Sequence, residues 1–308
     1  MSFAKRAGFY GHYLGQLDEC SHLIPATRFL SHGQSAVQII GYTVPMEMTK
    51  TDLADLKRAK ALLETPGLVA KMSAALGAPI EKSVKLLPKS VQTGIHKASE
   101  AAMMKALDVA VKSLGENAHG PLKPAQNRLH KIAAATSGAV GGVFGLMALT
   151  IELPISTTIM LRSIADIAKS EGENIQFIDT KLACLTVFAL GSSKSEKDDA
   201  TESGYFAARA AMAGAVSEAS KFLAEKGLSK TGAPALVRLV SLIGSRFGIV
   251  VTEKAAAQAV PIIGAAAGAL VNTIFIGHFQ DMARGHFIVR RLEKTYGAEP
   301  VKSAYKSI

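Results

Sequence analysis

The side chains whose types and spacing suit chemistry fall mostly between Glu152 and Arg162. Glu152 stands between apolar stretches, followed by Leu153 and Pro154, then by Ser156, Thr157, Thr158 and Arg162. A carboxylate in such surroundings must be paired, protonated or placed at a water-filled site. Two readings stand. Glu152 is an acid/base or headgroup-binding group, or it makes a plain helix-end contact. In the second, preferred reading, Pro154 breaks the helix, and Glu152 bonds the freed amides or pairs with Arg162. Ser156, Thr157 and Thr158 can cap a helix that contains Arg162. Amide donors at that helix start, with Arg162 about a turn on, would suit a lipid phosphate, although simple capping needs less. The candidate ligand-binding set is therefore Glu152, Ser156, Thr157, Thr158 and Arg162, with Asn272 added from the C-terminal half. Glu152 is also the candidate catalytic residue of a peptidase- or esterase-like hydrolase using Ser156 or Thr157.

Other chemistry finds less support. The chain lacks His-Glu-x-x-His, Gly-x-Ser-x-Gly and Walker A patterns. His278 and His286 are about two helical turns apart, too far to share one metal, and read as core or surface histidines. His12, His22 and His32 recur at a spacing that fits neither a helix face nor a zinc motif. Cys20 and Cys184, the only cysteines, make no disulfide framework and suit reduced thiols. No metal, cofactor or nucleotide is expected. The N-terminus has no apolar core and no small-residue cleavage pattern, so no signal peptide is read there.

Two uncharged runs must position these residues. Ile132–Ile151 ends directly at Glu152, and Ala255–Gln280 is the second. Gly138/Gly142 and Gly141/Gly145 are four apart and leave one helix face without side chains. Gly264/Gly268 repeats the spacing, and the simplest arrangement packs the two runs together. Each is near the length that spans a bilayer. Both are richer in Gly, Ala, Ser and Thr than in Leu and Phe, and Pro154 and Pro261 interrupt them. A buried hairpin that inserts or holds lipid is preferred to true spanning.

Residues 1–48 read as an irregular N-terminal arm, with Gly, His, Pro and Tyr breaking every period. Residues 49–94 form a basic short-helix segment: a helix over Thr49–Thr65 capped by Thr51, one between Pro66 and Gly77, and one over Pro79–Leu87. Residues 95–297 form the main helical domain. Its predicted helices start with Ser99–Leu114 and resume near Ala125. Leu182–Leu190 is read as a buried helix rather than a strand. Further helices are Thr201–Lys226, Pro234–Phe247 and Phe279–Tyr296. In the last, Ala283, Phe287, Leu292 and Tyr296 pack while Arg284, Arg290, Arg291 and Lys294 face outwards. Residues 298–308 are a polar tail. The class is all-α: a compact multi-helix domain with Gly/Ala-rich central helices.

Composition narrows the partners. Hydrophobic residues are 48%, aromatics 6%, and mean hydropathy is +0.22, high for a soluble chain and low for a multi-span one. The formal net charge is +10, and residues 1–131 hold 17 of the 35 Lys/Arg but only 10 of the 25 Asp/Glu. Lys82, Lys85, Lys89, Lys97, Lys105 and Lys112 recur there without Arg clusters or an aromatic platform. Anionic lipid is thus the better-fitting partner and nucleic acid is not expected; a simply solvated lysine face is the competing reading.

Glu152-Leu153-Pro154, Ser156-Thr157-Thr158, Met160-Leu161-Arg162, Ile164-Ala165, Ile167-Ala168 and Gly172-Glu173 together resemble the signature of the EcsC family. The C-terminal block Pro261, Gly264, Gly268, Asn272, Ala283, Phe287, Arg290 and Tyr296-Gly297 resembles it too. The resemblance covers about residues 99–297 and leaves 1–95 outside. It implies a mostly bacterial family whose hints of hydrolase or peptidase activity bring no catalytic set with them. The leading expectation is a non-enzymatic, membrane-associated or lipid-binding protein. It would be cytoplasmic, peripheral at the inner face of the membrane, with an apolar pocket or inserting hairpin for a hydrophobic ligand and a basic face for anionic headgroups. A hydrolase and an integral membrane protein are the alternatives.

Overall fold

Short runs of β-branched residues, Ala36–Ile39 (β1) and Tyr42–Pro45 (β2), pair antiparallel with Val37 opposite Val44. This hairpin belongs to an N-terminal unit, Met1–Glu47, distinct from the larger unit Met48–Ile308. The hairpin lies within the stretch read as an irregular arm, at a place where Val, Ile and Tyr suit a pleated ladder. The computed structural model describes residues 36–39, 42–45, 47–64, 67–114, 146–191, 204–227, 232–259 and 265–308. The Gly138–Gly145 face, its expected packing against Gly264, the helix resuming near Ala125 and the arm's histidines lie outside the described residues.

The larger unit is all-α. Its helices among the described residues are α1 (Lys50–Leu63), α2 (Leu68–Leu76), α3 (Ile80–Leu86), α4 (Lys89–Ser113) and α5 (Leu146–Ser170). They continue with α6 (Ile178–Leu190), α7 (Gly204–Lys226), α8 (Pro234–Gln258), α9 (Ala265–Tyr296) and α10 (Ala298–Ser307). Thr49, not Thr51, caps α1: its hydroxyl accepts from the Asp52 amide. Pro234 opens α8 at a position where its missing N–H costs nothing. Gly77, Gly172, Gly227 and Gly297 follow helix ends with positive φ, the conformation that favours glycine. The segment after Tyr296, read as a tail, is a helix: Val301 and Tyr305 are buried and Lys60 Nζ donates to the Tyr305 carbonyl at 3.0 Å.

α6 shows why an unbroken apolar run can be a helix. Every residue from Thr180 to Leu190 is buried, so no amphipathic period survives. α8 packs on α4, α6 and α7, and α9 packs on α1, α5 and α10. Phe188 of α6, Phe247 of α8 and Phe279 of α9 meet at the centre with ring centroids 5.2 to 5.6 Å apart. α4 and α8 approach closely because α8 presents glycine: a Cβ on Gly248 would lie 2.5 Å from His96 Nδ1, and one on Gly244 2.9 Å from Glu100 Cγ.

The second uncharged run is shared between the end of α8 and the first half of α9, with Pro261 between them in sequence. One expectation changes here: Pro154 does not break the helix. α5 runs through it from Leu146 to Ser170, so no helix starts at Ser156 to present amides to a phosphate. Among the described residues, α8 is the helix long and apolar enough to cross a membrane. More than half of its apolar window is buried by neighbouring helices, as in the core helix of a soluble protein.

Candidate functional site

The residues read together from sequence part company in space. Glu152 is buried, and its partner is Lys254 of α8 rather than Arg162: Lys254 Nζ lies 2.7 Å from Glu152 Oε1. The Lys254 side chain is fully buried and sits 4.9 Å over the Phe275 ring of α9. Burial pulls the Lys254 pKa below its usual value, and the Glu152 carboxylate opposes that shift. Arg162 is exposed on α5. Ser156 and Thr158 turn back on their own helix, donating to the carbonyls of Leu153 (3.2 Å) and Pro154 (2.8 Å). Ser156 is thus not held by Glu152 as a nucleophile would be by its base. The Thr157 hydroxyl is buried without a hydrogen-bond partner. Asn272 is fully buried on α9, three residues before Phe275. The pair has the geometry of an ionic tie across the core, linking α5 to α8.

Sequence reasoning missed Lys254, yet a signal was present. Glu152 directly follows the first uncharged run and Lys254 directly precedes the second. Opposite charges that border apolar runs each need a partner when buried, and each is the other's natural complement.

A second polar group gathers along α9. Glu173 Oε1 accepts from Arg290 Nε at 3.0 Å, and Oε2 from Lys294 Nζ at 2.7 Å and Thr180 Oγ1 at 3.0 Å. Burial alone would raise the Glu173 carboxyl, but the Lys294 hydrogen bond and the Arg290 guanidinium outweigh it and lower its pKa. Arg291, expected to face solvent, joins Asp55 of α1 at 2.6 Å to Glu171 at 3.2 Å. Arg209 of α7 forks onto Glu293 at 2.7 and 2.9 Å.

Of the two positions left open for the C-terminal histidines, core or surface, both take the core, and each serves a different neighbour. His278 Nε2 lies 2.8 Å from the Gly191 carbonyl, and burial lowers its pKa to about 4. His286 Nδ1 lies 3.0 Å from the Tyr205 hydroxyl. His286 lines a cavity of about 650 Å³ between α6, α7, α9 and α10, with Arg209, Arg290 and Glu293 beside it. No group of three or more metal-ligating side chains occurs among the described residues. Cys184 is buried in α6, which pushes its thiol up to about 12.

The basic stretch resolves into two kinds of lysine. Lys105 and Lys112 flank Asp108 on α4 at 3.9 and 2.5 Å. Lys82, Lys85 and Lys89 are exposed where α3 meets α4, and have no ion pair among the described residues. Leu86 is 81% exposed in their midst, the most exposed large apolar side chain described. Lys89 opens α4, whose first turn holds no acid, so the positive end of a 25-residue helix adds to the lysines. Glu81 is the nearby counter-charge in sequence, and it accepts from Ser73.

No curated protein and no solved structure matches the chain. The model of the EcsC protein family matches residues 50–292, beginning at α1 rather than near residue 99 and so taking in the basic short helices. With most of its length matched, the chain belongs to the EcsC protein family.

Proposed function

We propose that this protein is a non-catalytic binding protein that docks peripherally on anionic membranes through the corner between α3 and α4. The supporting observation is Leu86, held in water among Lys82, Lys85 and Lys89. A leucine gains roughly 1.5–3 kcal/mol on leaving water, and a lysine near an anionic surface roughly 1 kcal/mol. Three lysines and one leucine together give reversible adhesion rather than insertion. The uncompensated helix end at Lys89 favours an anionic partner for the same corner. Anionic lipids face the cytoplasm, so the inner face of the membrane is the location this reading assigns.

Sedimentation with vesicles tests it. The protein is expected to pellet with phosphatidylglycerol-containing vesicles at low salt, and to stay in the supernatant with pure phosphatidylcholine. Leu86→Ser should weaken binding roughly tenfold, and Lys82→Glu with Lys85→Glu should abolish it. Equal partition onto neutral and anionic vesicles, or no effect of these exposed substitutions, would overturn the reading.

A further inference from the structure

The α3–α4 corner shares one end of the larger unit with the starts of α5 and α9. α8 runs antiparallel to α4, since a Cβ on Gly244 would touch Glu100 and one on Gly248 would touch His96. Carried on at the same step, that register brings Lys89 level with the Lys254 turn of α8. Lys254 in turn meets Glu152 of α5 and covers the Phe275 ring of α9. α5 starts six residues before Glu152, and α9 ten residues before Phe275. At about 1.5 Å per residue, the two helices project about 9 and 15 Å past that level.

α5 and α9 lie side by side and run the same way: Gln280 donates to Ser163 at 2.7 Å, and further along both helices Arg290 reaches Glu173. At about 100° per residue, Ile155 and Ile159 stand about 80° and 40° to one side of Ser163. Leu270 and Ile274 stand about 80° and 120° from Gln280, on that same side of the seam. The four side chains make one aliphatic edge. Ile155 is 53% exposed and Leu270 40%, while Ile159 and Ile274 are partly buried.

Charge is kept off this edge. From Ala265 to Gln280 α9 has no Asp, Glu, Lys or Arg, and from Leu146 to Leu161 α5 has one, Glu152, buried against Lys254. Arg162, two turns beyond Ile155 on the same side, is exposed and has no ion pair among the described residues. The acids Asp166 and Asp281 come further along. An uncharged edge that projects past Lys82, Lys85 and Lys89 is complementary to an anionic bilayer, whose charge lies outside and whose apolar layer lies within.

We propose that the edge of Ile155, Ile159, Leu270 and Ile274 enters the acyl layer of an anionic bilayer while Lys82, Lys85 and Lys89 stay at the phosphates. The inference rests on the docking proposed for the α3–α4 corner and gives it depth: the corner holds the surface, and the edge enters it without crossing.

The chain has no tryptophan, so a single one reports its own surroundings. Leu270→Trp, Leu86→Trp and Val237→Trp place it at the edge, at the corner, and at an exposed site near the other end of α8. Each intact variant is mixed with phosphatidylglycerol vesicles whose acyl chains are brominated midway along. Emission of Leu270→Trp should shift to the blue and be quenched about twofold or more. Leu86→Trp should shift with less quenching, and Val237→Trp should not change. Ile155→Ser with Leu270→Ser should weaken pelleting with unbrominated vesicles roughly ten- to hundredfold. A shift in Leu86→Trp with no quenching in Leu270→Trp would overturn the insertion and leave the corner standing. Quenching in Leu270→Trp with no shift in Leu86→Trp would support the edge and overturn the corner. Silence of both would overturn the two together. Pelleting unchanged in the double serine variant, or equal quenching in Val237→Trp, would also overturn the insertion.

Discussion

Glu152 and Glu173 are both buried acidic residues, yet their charges are met in opposite ways. Glu173 sits just past the end of α5 and gathers three donors, two of which reach it from partly exposed side chains on α9. Glu152 sits inside α5 and has one ionic partner among the described residues, itself fully buried. The first carboxylate is held at the rim of the core, where Arg290 and Lys294 keep contact with water. The second is held in the interior, where removal of either charge strands the other. Near a surface, charge is shared among several groups. In the core it must be cancelled by a single well-placed opposite.

The largest expected effect comes from breaking the interior pair. Lys254→Met removes the ammonium and leaves Glu152 without compensation, at a cost of about 3–5 kcal/mol. Adding Glu152→Leu should recover most of that loss, because two apolar side chains of similar volume pack where two charges were. Denaturant unfolding of the wild type, the single and the double variant measures it. If the double variant is as unstable as Lys254→Met alone, the pair is not the isolated ionic tie drawn here, and the contrast with Glu173 fails.

This contrast also marks what could be read in the sequence. The helices α1, α2, α3, α7 and the packed face of α9 follow from capping residues, prolines, glycines and apolar spacing, all of which act locally. α6 was legible for a different reason: the apolar run Leu182–Leu190 stands among helical segments, and a buried helix suits those surroundings better than a strand. The course of α5 through Pro154 was not legible. A proline inside a helix is tolerated only when surrounding packing repays the lost bond, and packing is not a local property. The partner of Glu152 was hidden by 102 residues of separation, and Arg162 looked closer only because it is near in sequence. Between α7 and α9, His286 was singled out, but Tyr205, which bonds its Nδ1, and Arg209, which bonds Tyr205, lie 81 and 77 residues away in the chain.

A smaller effect is expected at the rim. Glu173→Gln keeps the shape and removes the charge, so Arg290 and Lys294 lose a charge-assisted partner but can turn to water. The expected loss is about 2 kcal/mol, less than for Lys254→Met. Unfolding midpoints measured side by side would sharpen the comparison. A loss at Glu173 equal to that at Lys254 would mean the rim network is as isolated from solvent as the interior pair.

The smallest effect is a pH dependence, and its window, not its sign, separates the two histidines from the carboxylate. The Glu173 pKa is lowered in the fold, so its share of stability is fully present above the ordinary carboxylate value near 4.5. That share is lost as pH falls through the lower folded value. His278 also has a lowered pKa, about 4 against an ordinary 6.5. The unfolded chain therefore binds more protons than the fold between those values, and stability falls as pH drops from about 6.5 to 4. His286 acts in the same direction and continues further into acid. The histidine loss thus begins about two units above the carboxylate loss. His278→Gln, which keeps an N–H donor for the Gly191 carbonyl, should flatten the slope between pH 6.5 and 4 and leave the steeper fall below it. Glu173→Gln should do the reverse. Unfolding free energies across that range, for both variants, read the two windows separately. A His278→Gln profile that still falls as steeply from pH 6.5 would show that His278 is not the buried neutral group its contact with Gly191 implies.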